Sequence, residues 1–269
     1  MLREAGELDA QGFSFADFGQ PNLPAIVAVE QGPEGATATI PDAQLLFNSD
    51  FTRAGNDLHL NGSDGERAVV RDYFASTERP ALMSAEGARL SPDLVDALTL
   101  SAAPHHYAQA APPAPAASDA VGRVVTASAD STVLRNGVPV TVRPGDPILR
   151  ADVLQTAGGT LAVTFNDGST LNLTANTRIV VSEFVYSPNG TGNSQLLDLV
   201  QGSLTFISGE VAHSGNMSIG TPVATMGIRG TVGGVTTASN GTVQFYGLTY
   251  QMHQNRCARP CWAGKRLSY

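Results

Sequence analysis

The stretch Leu161-Ala162-Val163-Thr164-Phe165-Asn166-Asp167-Gly168-Ser169-Thr170-Leu171-Asn172-Leu173 decides the fold. Apolar residues recur at every second position on both sides of a polar turn, which is the period of a strand with one buried face. Gly168 accepts positive φ at the turn, so the two runs read as a hairpin and Asp167 as a turn carboxylate, not a catalytic acid. The alternation continues outward in both directions. On the N-terminal side Val124, Leu134, Val138, Val140 and Val142 lead into the turn Pro144-Gly145-Asp146. On the C-terminal side Ile179 with Val181, Leu197 with Leu199, and Leu204 with Phe206 are separated by Gly or Asn. Strand follows strand at a spacing of about ten residues, which predicts an all-β sandwich, barrel or solenoid.

Further toward the N-terminus, Leu58 and Leu60, the turn pair Asp64-Gly65, then Ala68 and Val70 spell a second hairpin. Ser91-Pro92-Asp93 combines a capping hydroxyl, a proline at the first helical position and a carboxylate near the positive end of the dipole. Leu94, Val95 and Leu98 then give a short helix one apolar face. Residues 1–101 are therefore expected to form a smaller β-rich domain with one short helix. In residues 102–118, Pro104, Pro112, Pro113 and Pro115 deny the helix that the alanines favour, leaving an extended linker. The first hundred residues carry an acidic excess that the following stretch lacks, which supports a boundary there and an independently folding domain over 119–245. Residues 246–269 form an atypical basic tail with Trp262, Cys257 and Cys261, as from a fragment or a shifted reading frame.

The chain of 269 residues carries a net charge of −8, which repels a phosphate backbone or an anionic lipid surface. Nucleic acid is excluded as a partner on that ground. Membrane insertion is excluded because no run of about 18 apolar residues exists. The acidic start, Met1 to Asp9, shows no Sec signal. His105-His106 and the pair Cys257 and Cys261 each fall short of a closed four-ligand metal set. Calcium on Asp57, Asp64 and Asp72 would need a repeated Gly-Gly-x-Gly-x-Asp turn, which is missing, so these read as turn and surface carboxylates. No Gly-x-Ser-x-Gly element occurs and the five histidines lack an evident nucleophile, so no catalytic residue and no cofactor are assigned. Ser208-Gly209-Glu210 and Arg229 remain as polar points of interest, Arg229 either receiving a partner's carboxylate or pairing internally with an acid such as Asp146.

Residues 121–232 resemble the FecR domain family. The likeness rests on Gly122, on Pro144-Gly145-Asp146 followed by Ile148, and on Phe165 with Asp167-Gly168-Ser169, Leu171, Leu173 and Asn176. It continues through Leu199 with Gly202 and ends in Thr221-Pro222-Val223-Ala224-Thr225-Met226-Gly227-Ile228-Arg229-Gly230-Thr231, which looks like the family's closing motif. The resemblance implies a bacterial, extracytoplasmic module: mainly β, with antiparallel strands stacked in a solenoid-like manner. Pro144, Gly145, Asp146, Asp167, Gly168, Thr221, Pro222, Gly227, Arg229, Gly230 and Thr231 are its structural or interaction motif.

Two family contexts follow. One is a large surface or secreted protein in which the domain precedes adhesive repeats; Asn56-Asp57-Leu58-His59-Leu60 through Asp64-Gly65 to Tyr73-Phe74 resembles segments that accompany RTX-type calcium-binding proteins. The other is an anti-sigma-type regulator that relays a signal from an outer-membrane transporter, whose cytoplasmic segment and membrane helix are not visible in this sequence. The expectation is a non-catalytic structural or protein-interaction module at the cell surface, its partners being other proteins or neighbouring domains of a longer chain. The alternative is signal relay by β-augmentation with a transporter's signalling domain.

Overall fold

The computed structural model describes residues 24–32, 35–100, 120–229, 232–238 and 241–248. The expectations for the linker, His105-His106, Gly230, Thr231 and the cysteine-bearing tail lie outside the described residues. The N-terminal unit runs β1 (Ala25–Val27), β2 (Val29–Gly32), β3 (Gly35–Ile40), α1 (Ala43–Asn48), β4 (Asp50–Ala54), β5 (Asp57–Asn61), β6 (Arg67–Val70), β7 (Ala81–Ser84), β8 (Arg89–Leu90), α2 (Pro92–Leu98) and β9 (Thr99–Leu100). These strands form two sheets, β1-β6-β5-β4-β9 and β2-β3-β7-β8.

The β5–β6 hairpin forms in the register that the alternation requires, Leu58 opposite Val70 and Leu60 opposite Ala68. Ser91 caps α2 by accepting from the Leu94 N–H at 3.4 Å. The unit holds two helices, not the one expected. Asp42 caps α1 through the Gln44 N–H at 2.7 Å, and Leu45, Leu46 and Phe47 are all buried. Three consecutive apolar residues in a six-residue element carry no helical period, so α1 escapes a periodicity reading.

Tyr73 is fully buried and its hydroxyl has no hydrogen-bond partner among the described residues, while burial pushes its phenol far above the ordinary value. Tyr73→Phe removes that unsatisfied group, so we expect the variant to gain about 1 kcal/mol, read as a rise in the urea midpoint. A loss of stability would show that the hydroxyl has a partner.

The second unit comprises β10 (Ala120–Ala127), β11 (Ser131–Arg135), β12 (Val138–Thr141), β13 (Pro147–Leu149), β14 (Val153–Thr156), β15 (Leu161–Phe165), β16 (Thr170–Leu173), β17 (Thr177–Val185), β18 (Ser194–Ile207), α3 (Glu210–His213), β19 (Met217–Gly220), β20 (Thr225–Ile228), β21 (Val232–Thr237) and β22 (Val243–Leu248). The opening hairpin is β15–β16, with Leu161 opposite Leu173 and Val163 opposite Leu171. Leu197 with Leu199 and Leu204 with Phe206 belong to one 14-residue strand, β18, not to two. Its first half pairs with β17 and β19 and its second half with β16 and β21.

The reason sits at Gly202. Its φ is +89°, and a Cβ there would lie 2.5 Å from the Asn176 carbonyl oxygen and from the Thr177 Cα. Beside it the register against β17 shifts between Arg178 and Ile179, leaving Val200 of β18 as the extra residue of a bulge, which bends the long strand and passes it from one wall to the other. The outcome is a mainly β unit whose sheet curls into a half-barrel. The expected solenoid-like stacking of coils does not form, because the sheet is organised around one shared bent strand. The strand β22 runs to Leu248, so Tyr246 to Leu248, set apart above as tail, pair in register with β21.

Both faces of one wall are buried. Val133, Leu154, Ile179, Val181 and Leu199 enter the half-barrel core. Their neighbours Leu134, Val153, Val180 and Val200 point the other way, into a core shared with Leu46, Phe47, Leu60 and Val95 of the N-terminal unit. Polar ties reinforce the junction. Arg178 donates to the Ser49 carbonyl at 3.0 Å and lies 3.6 Å from the Asp50 carboxylate, and the Arg89 N–H donates to the Pro222 carbonyl at 2.7 Å.

Candidate interaction groove

The sequence-selected motif residues fall in four separate places among the described residues. At Pro144-Gly145-Asp146 the glycine has φ +96° and donates to the Val124 carbonyl, while the Asp146 carboxylate accepts from the Arg143 N–H at 2.8 Å. This turn fastens β10 and carries no free chemistry. Asp167 is buried and accepts from the Ser169 N–H, the Ser169 hydroxyl at 2.6 Å and the Val211 N–H. Its backbone carbonyl also accepts from the Glu210 N–H, so this turn carboxylate anchors the start of α3. Gly168 beside it has φ +82°. Thr221 and Pro222 form a third turn, closed by the Thr221 hydroxyl and Ala224. Of Ser208-Gly209-Glu210, Glu210 accepts from the Tyr186 hydroxyl at 2.5 Å.

Gly227 and Arg229 fall elsewhere, at the mouth of a groove of about 270 Å³. Phe206, Met226, Ile228, Val232 and Phe245 line it. Two strands frame the groove, β20 and β22, and among the described residues each has a partner on one side only, β19 and β21 respectively. Positions where a Cβ on Gly227 or Gly247 would sit have no atom within 4 Å, which leaves room for another backbone to approach. Arg229 is exposed and lies across Gly215, where a Cβ would come within 3.0 Å of its guanidinium Nε. It makes no ion pair with Asp146 among the described residues. The aromatic and apolar walls from Phe206, Val232 and Phe245 were not singled out from sequence as a site, because each reads there only as one more alternating strand residue.

Other clefts are less suited to a partner. One, of about 700 Å³ beside Phe74, holds two arginines that already have partners. Arg53 sits 4.5 Å above the Phe74 ring and donates to the Gly55 carbonyl, and Arg79 pairs with Asp96. A second cleft, between α2 and the wall formed by β17 and β18, contains Asp198, whose carboxylate accepts from the Ser182 hydroxyl. Burial raises the Asp198 carboxyl above its ordinary range, partly offset by that hydrogen bond. The folded chain therefore holds this proton more tightly than the unfolded one. Its contribution disfavours folding at neutral pH and recovers as pH falls through the raised value. Asp198→Asn keeps an acceptor for Ser182, so it should raise the unfolding midpoint at neutral pH and flatten this part of the pH dependence. Equal midpoints for the two proteins at neutral pH would contradict the assignment.

The carboxylates weighed above for calcium and read as turn and surface groups make backbone contacts. Asp57 accepts from the Asp72 N–H at 2.8 Å, and Asp64 accepts from the Glu66 N–H at 3.1 Å. Among the described residues no group of three His, Cys, Asp or Glu is placed to hold a metal ion, and no helix is long and apolar enough to cross a membrane.

A curled, mainly antiparallel sheet with an apolar groove beside two of its strands defines a mainly β module. Residues 152–245 match the family model described as FecR protein, and the chain carries a FecR domain. Strands β10 to β13 precede the matched stretch yet complete both walls of the half-barrel. No curated protein and no solved structure matches the chain.

Proposed function

We propose that this chain is a non-catalytic protein-interaction module of a bacterial exported or surface protein, and that its groove receives an extended strand from a partner. The observation that carries the reading is the apolar groove between β20 and β22, each of which has one backbone edge without a strand partner among the described residues. An added strand gains main-chain hydrogen bonds along such an edge, and its alternate side chains fill the groove. The fitting occupant has apolar residues at every second position and a carboxylate opposite Arg229. An extracytoplasmic location, at the surface or in the medium, follows from the resemblance and is part of the proposal.

Signal relay is the second reading, and the FecR match favours it. Under that reading the strand belongs to the signalling domain of an outer-membrane transporter. Titration of the full chain with such a domain separates the two, since the relay reading requires saturable binding and fails if no heat is exchanged. The groove itself is tested with peptides selected from a random library against the full chain. Selected sequences should alternate apolar residues, protect the amides of 225–228 or 243–247 from exchange, and lose binding to Met226→Glu. Peptides that bind Met226→Glu and wild type alike, with neither edge protected, would overturn the groove as the site.

A further inference from the structure

A second cleft, of about 260 Å³, opens where α1 meets the bend of β18. Its walls come from Asn48 on α1, Asn176 in the β16–β17 turn, Gln201 and Ser203 on β18, and Thr236 and Thr237 on β21. All of these side chains are uncharged hydroxyls or amides. Several are already satisfied: the Ser203 and Thr236 hydroxyls lie 2.9 Å apart and bond each other. Two are not. The Gln201 Oε1 and the Thr237 Oγ1 are buried and have no hydrogen-bond partner among the described residues, and Thr237 is only 2 % exposed.

Buried polar atoms are almost always paired, because an unpaired one loses its hydration with nothing in return. Two such atoms lining one cleft mark a place built to be completed by something else. The completing group must donate to the Gln201 amide oxygen, which an alcohol does and a carboxylate does not, and an alcohol can also donate to or accept from the Thr237 hydroxyl. The walls offer no charge to neutralise an ion, so a charged ligand would be desolvated without compensation. The volume lies just below the range of about 300–1,000 Å³ usual for small-molecule sites, which suits one ring and not a chain of rings.

We infer that this cleft is a binding site for a neutral polyhydroxylated ring, a single monosaccharide unit, held by Gln201 and Thr237 with Asn48 and Asn176 at its rim. With no aromatic side chain among the residues named to stack on the ring, affinity rests on hydrogen bonds and should be weak, about millimolar. The unit has two sources, a free sugar or the end of a glycan. Because Asn48 comes from the N-terminal unit, the site exists only when the two units are packed together.

The test is saturation-transfer NMR on the full chain against a panel of free neutral hexoses and pentoses, and against neutral oligosaccharides ending in the same units. At least one neutral sugar should give a saturable signal, and glucuronate should give none. Preference for the free sugar or for the oligosaccharide end identifies the source. Thr237→Val and Gln201→Met remove the two unpaired atoms, so both variants should fold with an unchanged or higher midpoint while weakening binding at least tenfold. The inference is overturned if no neutral sugar binds, or if the sugar that binds does so equally well to Thr237→Val and Gln201→Met. It is also overturned if both variants lose stability in the sugar-free protein, since the two atoms would then already be satisfied.

Discussion

Arg135→Met should destabilise the protein by about 3–5 kcal/mol, the range found when one partner of a buried ion pair is removed. Asp152 is 1 % exposed and its carboxylate accepts from the Arg135 Nε at 2.9 Å, from its Nη2 at 2.7 Å and from the Leu149 N–H at 2.8 Å. The same Arg135 Nη2 reaches the Pro147 carbonyl at 2.9 Å, so one side chain ties β11 to the turn that precedes β14. The carboxylate beside it raises the Arg135 guanidinium further above its ordinary value. With the guanidinium gone, the carboxylate keeps a single backbone donor in a buried site. Asp152→Asn leaves a partly exposed arginine instead and should cost less. Urea melts of the two single variants and the double variant give the coupling energy directly. Equal and small losses for both single variants would show that solvent already screens the pair.

The second large effect concerns the junction of the two units. A fragment of residues 119–245 lacks the cover over Leu134, Val153, Val180 and Val200. Each of these side chains contributes about 1.5–3 kcal/mol when fully buried, so their joint exposure is comparable with the whole stability of a domain. The fragment is expected to melt well below the full chain and to self-associate through the uncovered wall. The boundary at the proline-rich linker separates two stretches of sequence, but the wall that follows it is buried on both faces. In the full chain, Val180→Asp should reproduce much of the loss. A fragment that is monomeric in sedimentation and melts cooperatively at the temperature of the full chain would show that the junction adds little.

The alternation of apolar residues made the hairpins at 57–70 and 161–173 legible, and the capping residues of α2 made its start legible. Yet alternation alone hid the second buried face. Val133-Leu134, Val153-Leu154, Ile179-Val180-Val181 and Leu199-Val200 are apolar at adjacent positions, the pattern of strands covered on both sides. That signal was present and points to a covering layer. The arginine pairing was half legible: an internal acid such as Asp146 was one of two readings for Arg229, and the structure places a buried Arg–Asp pair at Arg135 and Asp152. Composition identifies which residue types need partners, but which arginine meets an acid depends on what the folded chain sets beside it.

The order of strands and turns, the mainly β character and the FecR motif were thus determined by the sequence itself, because strand period, turn glycines and caps act within a few residues along the chain. Only the tertiary structure decided that β18 is a single bent strand, that β20 and β22 frame an open groove, and that Gln201 and Thr237 face one cleft. Those arrangements join residues far apart in sequence. They depend on how far the bulge at Gly202 turns the sheet, a quantity set by packing across the whole wall and not by any local pattern.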